Sequence, residues 1–115
     1  MTLQVTPRQA VEQLERNLGL TTSELADALE TSERSLERWR SAVTYPQRDA
    51  RRRLESLIAL ERHLREVFSD PASIRSWLHG DNRYLGGLSP ADALRAGRID
   101  RVEAALEALE SGVVL

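Results

Sequence analysis

Cysteine is absent from this chain of 115 residues, so disulfides and thiolate-bound metals are excluded. Lysine is absent too: all sixteen cationic residues are arginine. Arginine offers bidentate contacts to phosphate, guanine or carboxylate, although codon bias in a GC-rich genome explains the same count. No apolar run approaches the roughly 18 residues that span a bilayer. Met1 to Val5 has neither the basic region nor the apolar stretch of a signal peptide, and the expected location is the cytoplasm. A surplus of positive charge is also lacking. The net charge of −2 and pI near 5.7 argue against a protein that holds nucleic acid by bulk charge.

Catalytic chemistry is missing as well. His63 and His79 have no ligand or triad spacing around them, and His63 reads as a solvated helix residue. Gly86-Gly87 lacks the strand-to-helix setting of a phosphate loop. The carboxylates are spread over helix surfaces. No catalytic residue, metal site or cofactor is expected, and no enzymatic activity.

What remains is a series of helix signals. Thr6-Pro7-Arg8-Gln9 is a capping box with proline in the first turn. Ala10, Val11, Leu14 and Leu18 follow at helical spacing, and Gly19 ends the run. Thr21-Thr22-Ser23-Glu24 is a second capping box, with Leu25, Ala26 and Leu29 as the buried face. After the turn Glu30-Thr31-Ser32, a third helix runs from about Glu33 to Ser41. Leu36 and Trp39 point inward there, while Arg34, Arg38 and Ser41 take the opposite face beside Glu37. Two short helices across a tight turn have helix-turn-helix spacing.

Val43-Thr44-Tyr45-Pro46 is irregular, and Pro46 biases Tyr45 away from helix. A long helix follows, about Gln47 to Phe68, with Arg48 and Arg51-Arg52-Arg53 in its first turns. Ser69-Asp70-Pro71 opens a fifth helix. His79-Gly80-Asp81-Asn82 is turn chemistry, with Gly80 and Asn82 open to positive φ. Tyr84-Leu85 is an apolar anchor before a second turn at Gly86-Gly87. Ser89-Pro90-Ala91-Asp92 starts another helix, which Gly97 stops. Ile99, Val102, Ala105, Leu106 and Leu109 form the stripe of a last helix that ends at Gly112.

Two resemblances are carried by these residues. Residues 7 to about 66 resemble an Xre-type helix-turn-helix domain, departing from it at Glu30, where a turn glycine is usual, and at Thr31, where an apolar residue is usual. Trp77-Leu78, Asn82, Leu85-Gly86-Gly87, Pro90, Leu94, Gly97, Val102 and Gly112 look like the toxin-binding domain of Xre/MbcA/ParS-type antitoxins. Members of that family are partners of RES-domain toxins.

The expected fold is all-α with about seven helices. A helix-turn-helix unit, residues 1–66, packs with a toxin-binding unit, residues 67–115, and the long helix is shared between them. The helix-turn-helix resemblance implies operator contacts from Ser32, Glu33, Arg34, Glu37, Arg38 and Ser41 on the third helix, with Arg48 and Arg52 on phosphate. The antitoxin resemblance implies toxin contacts from Trp77, Asn82, Arg83 and Arg98, while the apolar tail Val113, Val114 and Leu115 is expected to dock either on the toxin or on the chain's own core. The resemblance further implies a protein that occludes an NAD-consuming toxin and represses its own operon, and the small size and weak basic charge of the chain add the expectation of a homodimer. A stand-alone helix-turn-helix regulator without a toxin, and an adaptor whose DNA affinity is lost through Glu33 and Glu37, are the alternatives.

Overall fold

The computed structural model describes residues 6–112, and these build seven α-helices and one short 3₁₀ turn. The helices are α1 (Pro7–Leu18), α2 (Thr22–Ala28), α3 (Glu33–Arg40), α4 (Arg48–Val67), α5 (Pro71–His79), α6 (Pro90–Arg95) and α7 (Ile99–Glu110). The 3₁₀ turn, Arg83–Leu85, lies between α5 and α6. The all-α expectation is met. Among the described residues no helix is long and apolar enough to cross a membrane.

Local chemistry sets the starts of these helices. Thr6, Thr21 and Ser89 each accept a hydrogen bond from the backbone N–H three residues on, and the Gln9, Glu24 and Asp92 side chains each accept one from the cap backbone N–H. Each reciprocal pair satisfies two amide groups that a helix start otherwise leaves open. Asp70 caps α5 alone by accepting from Ser73 N at 2.8 Å. The bonds from the Ser73 backbone and side chain hold the Asp70 carboxyl below its usual range.

The stripes meet in one continuous core. Leu14, Leu18, Leu25, Leu29, Leu36, Leu54, Leu57, Leu60, Leu64, Leu78 and Leu94 are fully buried, with Ile74 beside them. Each such side chain contributes about 1.5–3 kcal/mol relative to exposure. Helix α1 packs on α3, α4 and α5, and α7 packs on α4 and α6. Helix α2, inside the helix-turn-helix, packs on α6 as well. The N-terminal and C-terminal halves therefore share their apolar interior. Ala26, only 3% exposed, supplies the small side chain in α2.

Three expectations are corrected. Gly80 (φ −91) and Asn82 (φ −127) are extended, because their backbone is bound into the loop and not folded through a left-handed turn. The positive φ falls instead on Gly86 and Gly87. Leu109, placed in the buried stripe of α7, is 47% exposed. His63 is half-buried against α7 and not a solvated residue.

Candidate nucleic-acid interface and partner surface

Helices α2 and α3 are joined by Leu29 to Ser32, and Glu30 in this turn takes φ 53. The backbone conformation of a turn glycine is thus kept with a side chain present, at roughly 1–2 kcal/mol for an L-residue. Leu36 and Trp39 anchor α3 to the core. Glu33, Arg34, Glu37, Arg38 and Ser41 stand exposed on the opposite side.

The roles of these exposed residues differ. Ser32 is the α3 N-cap, accepting from Ser35 N at 3.0 Å. Glu37 pairs with Arg40 at 3.3 Å, and Arg40 reaches back to Glu15 on α1. Arg34 and Arg38 engage no carboxylate among the described residues, one turn apart on one face. A cleft of about 350 Å³ runs beside Arg38, lined by Trp39, Thr44, Tyr45 and Gln47. Tyr45 and Val43 are largely exposed at its rim.

Across that cleft, α4 begins with Arg48, Arg51 and Arg52, all exposed. Arg48 and Arg52 are one turn apart and face the same way. Arg53 is turned inward: its Nε donates to the Leu29 carbonyl at 2.7 Å and lies 3.5 Å from Glu30. It belongs to the turn, and the other three arginines form the basic edge.

The second surface is built on the loop between α5 and α6 and on the start of α7. The loop between α5 and α6 is closed on itself: Asn82 N donates to the Leu88 carbonyl at 3.0 Å, and the Asn82 carbonyl accepts from Leu85 N and Gly87 N. The Asn82 side chain accepts from Tyr84 N at 3.0 Å. Asn82 therefore shapes the loop, and its side chain is already engaged. Trp77 is half-buried and lies against Phe68, with ring centroids 5.9 Å apart and planes tilted by 42°.

Arg83 is exposed on the loop. Arg98 holds Asp100 through two nitrogens at 2.9 and 3.0 Å. That fork draws the Asp100 carboxyl down to about 2. Leu88, at 58% exposure, and Tyr84 were not expected as contact residues. No periodicity marks a residue in a closed loop, so only the geometry finds them. Val113, Val114 and Leu115 lie outside the described residues.

Known proteins are similar to this chain over most of its length. Residues 63–112 match the model for the C-terminal toxin-binding domain of the antitoxins Xre/MbcA/ParS. The mycobacterial cidal antitoxin MbcA of Mycobacterium bovis is 38% identical over 97 residues, covering 84% of each chain. MbcA of Mycobacterium tuberculosis matches to the same extent. Among solved structures, a chain of the M. tuberculosis MbcT–MbcA toxin–antitoxin complex aligns with a TM-score of 0.69 and 33% identity. That alignment covers 94% of this chain and 96% of the other.

Proposed function

This chain belongs to the Xre/MbcA/ParS antitoxin family, and on that premise we propose that it neutralises a RES-domain, NAD-consuming toxin and represses its own operon. One observation carries the reading. The likeness to MbcA extends over 84% of the chain, so it takes in the helix-turn-helix as well as the toxin-binding region.

Neutralisation on this reading is occlusion, with no chemistry done by the antitoxin. The described residues offer an exposed apolar and basic surface for it: Tyr84, Leu88 and Arg83 on the closed loop, with Leu109 exposed on α7. Apolar side chains held on a hydrogen-bonded loop lose little freedom on docking, which favours affinity. The tail Val113 to Leu115 serves as the plug of the toxin's active-site entrance. Arg34 and Arg38 would read base edges, and Arg48 and Arg52 would neutralise phosphate. With a net charge of −2, operator affinity calls for two linked copies on two half-sites.

The test is a mixture of this protein with a RES-domain toxin, read by NAD consumption. Full-length antitoxin silences consumption at equal stoichiometry. A chain lacking Val113 to Leu115 forms the complex but leaves consumption running, and Leu88→Asp weakens the complex itself. If no complex forms with the unaltered chain, the toxin reading falls and the stand-alone regulator takes its place.

A further inference from the structure

His63 sits on α4 where α7 packs over it. Its Nδ1 contacts the Glu103 carboxylate and its Nε2 contacts the Glu110 carboxylate. Those glutamates are seven residues apart, hence two turns apart on one face of α7. The imidazole is held between them like a rung between two rails.

A carboxylate can only accept a hydrogen bond, and a neutral imidazole has one N–H and one lone pair. Both contacts are attractive only when the ring carries two N–H groups, which means the imidazolium. The neutral ring must turn a lone pair towards one of the carboxylates.

The charges nearby do not relieve that conflict. On α7, Glu107 lies between the two contact residues and is exposed. The last turn of α7 holds no basic residue, and Glu110 sits where the helix dipole already disfavours a negative charge. On α4, Arg62 and Glu66 flank His63 and are exposed. The α1 side chains at this level, Gln13 and Asn17, are spent on Glu61. On α5, Arg75 packs beside Gly19. His63 is the one group among the described residues found bridging Glu103 and Glu110.

We propose that His63 is a proton-operated latch: the imidazolium clamps α7 to α4, and loss of its proton frees the C-terminal half of α7. Desolvation is the largest single influence on this histidine and lowers its pKa. The hydrogen bonds and charges of Glu103 and Glu110 together outweigh it, and the net direction is upward. The sign follows from linkage. Stabilisation of the folded state is complete below the ordinary histidine pKa of about 6.5. It is lost as pH rises through the higher folded value. The latch acts on the helix that carries Leu109, but it does not depend on the toxin reading.

Amide hydrogen exchange of the full chain, corrected for the intrinsic pH dependence, tests it between about pH 6 and about pH 9. Expected is a loss of protection in α7 with rising pH, while α1 amides hold theirs. Proton NMR of the His63 imidazole should place its midpoint above the ordinary histidine value of about 6.5. His63→Gln should abolish the pH dependence. Should that variant fail to fold, Glu110→Gln, at a half-exposed position, should shrink the dependence and lower the His63 midpoint. The latch is overturned by α7 protection that stays constant with pH, or by an undiminished dependence in Glu110→Gln.

Discussion

Arg53 on α4 donates its Nε to the Leu29 carbonyl at 2.7 Å, across the turn of the helix-turn-helix. The contact ties the C-cap residue of α2 to the long helix and sets Arg53 apart from its neighbours Arg51 and Arg52. Leu29 is fully buried, so its carbonyl has poor access to water once the guanidinium is gone. Arg53→Ala should destabilise the fold by about 1–3 kcal/mol and leave the salt dependence of DNA binding unaltered. Thermal unfolding and gel-shift titration against salt check the two halves of this statement.

Arg48 and Arg52 should behave in the opposite way. Both are exposed, so alanine at either position should leave the melting temperature nearly unchanged. Binding to operator and to unrelated duplex should weaken alike, with a shallower salt slope. Arg34→Ala or Arg38→Ala should instead cost about 1–3 kcal/mol on the operator and relax specificity at one base. A double Arg34→Ala, Arg38→Ala variant with undiminished operator affinity would remove α3 from the groove.

Glu61 is a fully buried carboxyl, and accepts from Asn17 at 2.7 Å and Gln13 at 3.3 Å. Its other oxygen has no hydrogen bond, although Arg65 lies 3.4 Å away. The residue pins the angle between α1 and α4 with polar bonds inside a leucine core. Glu61→Ala leaves two amides unpartnered and should cost about 1.5–3 kcal/mol. Triple replacement of Glu61, Gln13 and Asn17 by apolar residues of similar volume should recover much of the loss. A triple variant as unstable as Glu61→Ala would contradict that account.

Glu30 gives a simple ordering. Its φ of 53 favours glycine, and its pairing with Arg53 joins side chains that are 58% and 30% exposed. Such a pair is worth about 0–1 kcal/mol, against roughly 1–2 kcal/mol for the left-handed conformation. Melting temperatures should fall in the order Glu30→Gly, then the unaltered chain, then Glu30→Val. A glycine variant melting below the unaltered chain would mean that the pair outweighs the strain.

That turn also shows what a sequence can and cannot disclose. The glycine-like position at Glu30 was legible through the resemblance to Xre-type helix-turn-helix domains, and the caps at Thr6, Thr21 and Ser89 because each is decided within three or four residues. His63 and Glu61 were illegible for the converse reason. The partners of His63 are 40 and 47 residues away, and Asn17 is 44 residues from Glu61. A histidine with no local partner reads as solvated until α7 is laid over it. Asn82 was singled out for a turn, and its hydrogen bonds are indeed spent on shaping that loop. The exposure of Leu109 escaped because a helical stripe marks a direction and not the edge at which the neighbouring surface ends.

The long helix α4 has one more consequence. From Arg48 to His63 it rises about 22 Å as an unbroken helix, within a molecule 46 Å in its longest dimension. At physiological ionic strength the Debye length is about 8 Å, so phosphate at the arginine end is electrostatically invisible to the glutamates around His63. Salt can tune one end without touching the other. Any coupling between the arginine end and the His63 clamp is then transmitted as rigid geometry along the rod.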